Sequence, residues 1–318
     1  MNPKGRSMTE TEFAQRSLTS PTGAQLAVYD CAAMGEARGI IHINHGLAEH
    51  GARYAPFAAY LSSRGYHVAA HDHRGHGATT ATDGAPRRFA NKDGWNKLME
   101  DVAAVNADLQ AKWPGLPVIV FGHSMGGVVA CNHVLRQPDS VAGAAIWNAN
   151  TAMGGNIGLV RMILFFEALV GGPYTPSLTL ENMTFKAWNK RFPEGRTDAD
   201  WLSRDLAEVD KYQDDPVCGW PSSVSLWRDF LLGVEFAADD RNLTPVRKDM
   251  PFHLIGGSKD PATEGGKAIR ILHKRLKKAG FTDLQCEILK GFRHETLNEI
   301  GREEQMKAFA DWADRVTR

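Results

Sequence analysis

The sequence has no surplus of charge, with 37 lysines and arginines standing against 37 aspartates and glutamates. A nucleic-acid-binding surface shows itself as a basic excess, so no nucleic-acid partner is expected. Cysteine is scarce too. Cys31, Cys131, Cys218 and Cys286 lie far apart with no C-x-x-C pair, which predicts reduced thiols rather than a disulfide framework or a structural zinc site. No stretch is long and apolar enough to cross a bilayer, and Met1 to Arg16 lacks the apolar run of a secretory leader. A soluble, cytoplasmic protein is the expectation. Internal repeats and low-complexity tracts are also absent, which excludes a solenoid.

What the chain has is alternation. Phe13 to Cys31 reads as a β-hairpin about Ser20-Pro21-Thr22-Gly23, followed by a buried strand, Gly39 to Asn44. A helical stretch from Tyr54 to Arg64, a strand from Tyr66 to Ala70 and a helix from Trp95 to Trp113 come next. The strands Val118 to Phe121 and Val141 to Trp147 follow, with a buried helix from Val128 to Leu135 between them. Strands alternating with helices argue a mostly parallel sheet covered on both faces. The pattern stops near Asn148 and resumes at Phe252, then runs through a helix from Gly266 to Ala279, a strand from Leu284 to Leu289 and a terminal helix from Leu297 to Val316. Residues 1–149 and 250–318 are thus expected to form one core, with residues 150–249 inserted as a mainly helical cap.

The chemistry centres on Gly122-His123-Ser124-Met125-Gly126-Gly127, between a strand and a helix. A G-x-S-x-G turn in that context is a nucleophile elbow, where glycines remove the Cβ atoms that would clash and the serine is pushed into an open site. A serine hydroxyl needs a base to take its proton and a third group to hold that base. Asp260 stands just past the strand Phe252 to Ile255, and His294 just past the strand ending at Leu289. The order serine, aspartate, histidine, each at a strand end, makes them the expected partners. The backbone N–H groups of Met125 and Leu47 are the expected oxyanion donors, with Gly46 allowing close approach of the carbonyl.

Four segments together resemble a known family: His45-Gly46-x-x-Glu49-His50 with Arg53-Tyr54, Asp72-His73-Arg74-Gly75-His76-Gly77, Gly122 to Gly127, and Arg293-His294-Glu295-x-Leu297-Asn298-Glu299. They resemble the monoacylglycerol lipase and lysophospholipase group, of serine aminopeptidase type, among the α/β-hydrolases. The resemblance covers nearly all the core and implies an eight-stranded sheet and hydrolysis of carboxylic esters, typically lipid monoesters, with no metal or organic cofactor. It marks His45, Gly46, Glu49, His50, Gly122, His123 and Gly126 as motif residues supporting the site. Two other functions stay open. One is amide hydrolysis, for which Glu167, Glu181 or Asp205 could hold a peptide amine; the other is a non-catalytic small-molecule binder on the same fold.

Three features need separate readings. His71-Asp72-His73-Arg74-Gly75-His76 has the histidine spacing of a zinc loop but Gly75 where that loop carries aspartate, so a backbone-tying turn is expected. Ile157 to Val170 is apolar almost all round, and such a helix is expected to bury most of its surface as the wall of an acyl tunnel, with transient contact to a membrane or micelle as an addition. The basic run from Lys267 to Lys278 is expected to be a solvated helix face.

Overall fold

The computed structural model describes residues 13–155, 157–192 and 195–318, so most of the stretch from Met1 to Arg16 lies outside the described residues. The chain opens with a hairpin of β1 (Ala14–Thr19) and β2 (Gln25–Cys31), then β3 (Gly39–Asn44), α1 (Ala55–Ser63), β4 (Tyr66–His71), α2 (Gly94–Lys112), β5 (Val118–His123), α3 (Met125–Arg136) and β6 (Gly143–Trp147). Five helices follow before the sheet resumes: α4 (Ile157–Gly171), α5 (Leu178–Met183), α6 (Phe185–Asn189), α7 (Leu206–Asp214) and α8 (Val224–Ala238). The chain closes with β7 (Phe252–Gly257), α9 (Lys267–Lys278), β8 (Leu284–Leu289) and α10 (Arg302–Val316).

All eight strands form one sheet in the order β1-β2-β4-β3-β5-β6-β7-β8. The β1–β2 and β2–β4 pairs are antiparallel and the rest parallel, which is the α/β-hydrolase arrangement expected. The period-2 alternation of side chains explains why both faces need cover. On β5, Val118 and Val120 join one apolar cluster with α2, α3 and α9. Ile119 and Phe121 point the other way, into a cluster with α1 and α10. On α9, Ala268, Ile269, Leu272 and Leu276 are buried while Lys267, Arg270, Lys274, Lys277 and Lys278 face outward, as the helical spacing predicts; Arg275 departs from this and turns in to bond Ala237 O (2.9 Å) and Asp240 (2.9 Å).

Three expectations need correction. The helix after the elbow starts at Met125 rather than Val128, because Gly126 and Gly127 pack too closely to leave room for a loop. The terminal helix starts at Arg302 rather than Leu297. Glu299 ends the preceding segment as a turn, its carboxylate accepting from Arg293 N–H (2.9 Å) and Ile300 N–H (3.0 Å), and Gly301 then enters the helix with φ 91°. Finally, α4 does not bury most of its surface. Leu164 is its one buried side chain, packed with Val160 and Ile163 toward Val224, Trp227 and Leu231. Leu159, Met162, Phe165, Phe166, Leu169 and Val170 are exposed.

Candidate active site

A single residue separates β5 from α3, and it is Ser124, with φ 55° and ψ −118°. A non-glycine residue so placed costs about 1–3 kcal/mol and persists only where its surroundings over-determine it. They do here. Ser124 N–H donates to Trp147 O (2.9 Å) on β6, and Ser124 O accepts from Gly127 N–H (3.0 Å). A Cβ on Gly122 would lie 2.0 Å from Gly126 O, and one on Gly126 would lie 2.0 Å from Asn44 O. Both glycines are therefore required for α3 to pack on the strand ends.

The loops after β7 and β8 bring Asp260 and His294 together, with 2.9 Å between His294 Nδ1 and Asp260 Oδ1. Both are buried. Asp260 also accepts from Thr263 Oγ1 (2.7 Å), Asn148 Nδ2 (3.1 Å) and Ala262 N–H (2.9 Å). Burial alone would raise its pKa, but the His294 charge and these hydrogen bonds outweigh burial and hold the carboxyl below its ordinary value. His294 shows the converse: burial opposes its charge, while Asp260, Glu295 and Glu49 together raise its pKa. Trp201 and His123 flank the imidazole, each with ring centroids 4.8 Å from it. Among the described residues Ser124 Oγ makes no side-chain hydrogen bond. In an unliganded site that link commonly forms only with substrate.

The loop after β3 is tightly determined. Gly46 N–H donates to Glu49 Oε1 (2.5 Å), and a Cβ on Gly46 would lie 2.7 Å from the same oxygen and 3.4 Å from Ser124 Cβ. His45 Nε2 accepts from His73 N–H (2.9 Å), so the proton sits on Nδ1, which donates to Gly46 O (2.7 Å). A planar trans peptide points Leu47 N–H opposite that carbonyl, and Leu47 lines the cavity beside Ser124. Met125 N–H is the first of α3, where no helical acceptor exists. Arg53 ties this loop to the next. Its guanidinium bonds Glu49 Oε2 (2.5 Å) and, through two nitrogens, Glu295 (2.7 and 2.8 Å).

Ser124 opens into a cavity of about 260 Å³ whose walls are mostly apolar, including Ile157 and Val160 of α4, Phe185 and Trp188 of α6, and Trp227 and Phe230 of α8. Of the acidic residues considered for holding an amine, none lines it. Glu167 accepts from the Ser177 hydroxyl and Thr179 N–H, Asp205 caps α7 and pairs with Arg302, and Glu181 belongs to the first turn of α5. In the turn after His71 it is Asp72 that ties the backbone, while Arg74 bonds side chains. Asp72 accepts from Gly51 N–H and Ala78 N–H, each at 2.7 Å, and fully buried Arg74 bonds Asp101 (2.7 Å) and Thr22 (2.8 Å).

Sequence reasoning did not single out Asn148, Thr263 or Thr296. Asn148 held the one available signal, standing at the end of β6. It has φ 50° and bridges the Thr296 hydroxyl (3.0 Å) to Asp260.

The profile of the family described as Serine aminopeptidase, S33, matches residues 35–301. The chain is 30% identical to a monoglyceride lipase of Homo sapiens over 84% of its own length and 78% of that protein's. It is 27% identical to a monoacylglycerol lipase of Mycolicibacterium smegmatis, covering 82% of this chain and 83% of that one. A thermostable carboxyl esterase from Bacillus coagulans shares the fold with a TM-score of 0.85 at 23% identity, over 96% of this chain and 99% of that chain.

Proposed function

We infer how this chain works from what it is: it belongs to the serine aminopeptidase S33 family of α/β-hydrolases and is a carboxylic ester hydrolase. Ser124 Oγ attacks the ester carbonyl while His294 Nε2 takes its proton, and Asp260 holds the imidazole with the proton on Nδ1. The N–H groups of Leu47 and Met125 hold the oxyanion, the first aimed by the His45 bond to Gly46 O. The alcohol leaves with the proton from His294, and water then releases the acyl group by the same route.

The substrate is a lipid-like monoester such as a monoacylglycerol or lysophospholipid. The observation that carries this reading is Ser124 at a strained elbow, opening into an apolar cavity walled by α4, α6 and α8. Residues 150–249 act as a cap over the serine. Among the described residues no carboxylate lines the cavity, which favours an ester over a peptide amine, and the exposed apolar side of α4 supports transient contact with a lipid surface.

Turnover of p-nitrophenyl esters should fall about a million-fold in Ser124→Ala, and a fluorophosphonate probe should label the wild type but not the variant. Initial rates along a series from acetyl to stearoyl esters should rise toward longer chains. Retained activity in Ser124→Ala overturns the nucleophile; a preference for acetyl esters overturns the lipid substrate alone.

A further inference from the structure

Among the described residues, one cluster of histidine, cysteine and carboxylate side chains has atoms close enough to share an ion, and it lies outside the chemistry above. His50 follows Glu49 in the loop after β3, while Asp215 and Cys218 lie in the turn between α7 and α8. The ligand atoms of the three lie within 4.8 Å of one another, and His50 Nε2 is 2.8 Å from Asp215 Oδ2. Cys218 is buried, with His50 and Asp215 half-buried above it. Tetrahedral zinc, with ligand bonds of roughly 2.0–2.3 Å, sets its ligand atoms about 3.3–3.7 Å apart. Shifts of an ångström or less would reach that geometry, with water in the fourth position.

Two neighbouring carboxylates, Glu49 and Glu295, are both bonded to Arg53, so Asp215 and the Cys218 sulfur supply the negative charge for an ion. We propose that His50 Nε2, the Asp215 carboxylate and the Cys218 sulfur form a binding site for a thiophilic divalent cation of the zinc type. On binding, the Cys218 proton goes to solvent and the sulfur bonds the metal as thiolate. His50 Nε2, which donates to Asp215 Oδ2 before the ion arrives, exchanges that proton through solvent onto Nδ1, and its bond to Asp215 is replaced by two bonds to the ion.

The site sits in a joint. Ala48 O accepts from Gly219 N–H (2.9 Å) and from the Tyr212 hydroxyl (3.2 Å), so the loop carrying Leu47 already leans on the α7–α8 turn. A bound ion locks the two together and slows turnover. The site itself is independent of the ester-hydrolase reading, but the effect on turnover rests on it.

Cobalt(II) titrated into the full-length protein reads the site directly, because a cobalt–thiolate bond absorbs in the near ultraviolet. A band saturating at one equivalent is expected in the wild type and equally in Ser124→Ala, which separates this test from that of the nucleophile. Cys218→Ser should abolish the band, Asp215→Asn should weaken binding by roughly 10–100-fold, and Cys286→Ser should leave both unchanged. Zinc should raise the melting temperature and lower turnover of a short soluble ester in the wild type but not in Cys218→Ser, with circular dichroism confirming that each variant is folded. Absence of the band at millimolar cobalt, or its persistence in Cys218→Ser, overturns the site. Zinc binding with unchanged turnover overturns the lock.

Discussion

At the scale of single residues, the pairing of Asp260 with His294 makes a pH dependence. Asp260 raises the pKa of His294, while the proposed role of His294 as base needs the neutral imidazole. The acid limb of kcat/KM should therefore lie above the ordinary histidine value, with rate lost as pH falls through it. Asp260→Asn removes the charge that raises His294. Its limb should move to lower pH, and turnover should drop about ten-thousand-fold because the tautomer is no longer held. A pH–rate profile of both proteins on a soluble ester checks this; an unmoved limb counts against Asp260 as the partner. Asp260 and His294 were legible in the sequence because each follows a strand at a set interval. Asn148 and Thr263 were not, since their bonds to Asp260 depend on how β6 and β7 lie side by side and on the turn after β7.

Among the elements, α4 shows where sequence pattern stops being informative. Its composition says that it is apolar all round, but not which neighbours it meets. Among the described residues the sides toward α8 and α5 find partners, leaving Phe165 and Leu169 at 61% and 72% exposure. An apolar stripe of that kind is unusual on a protein that faces water alone. Replacing Phe165 and Leu169 together by serine should lower hydrolysis of emulsified or vesicle-borne ester several-fold while sparing short soluble esters. Equal loss on both would mean that the two side chains support the cavity instead. The core strands and the helices α1, α2 and α9 were legible nearly to the residue because period and turn chemistry agree there, whereas the starts of α3 and α10 were displaced by three and five residues. The short helices α5 and α6 were not, since segments of six and five residues carry too little periodicity to read.

For the molecule as a whole, histidine sets the acid limit. His42, His45, His71, His73, His76, His123, His133 and His253 are buried, and burial lowers the pKa of each, to about 4 for His76 and His133 and about 3 for His71, His123 and His253. The unfolded chain takes up these protons first. Stability is thus fully present above the unfolded value near 6.5 and is lost as pH falls below it, by about 1.4 kcal/mol per pH unit for each group. The melting temperature should fall steeply below pH 6, as followed by circular dichroism. A flat profile down to pH 4 would show that these side chains are hydrated in the folded state.

Arg53 joins Glu49 to Glu295 across 246 positions of sequence. The loop carrying Leu47 and the loop carrying His294 thereby share one fastener: a movement that draws the first outward pulls on the second through the same guanidinium. An ester too wide for the cleft cannot be accommodated by yielding on one side. It must part a buried ion pair or distort both halves together, so the width of the reacting group is governed far more rigidly than the length of the chain behind it.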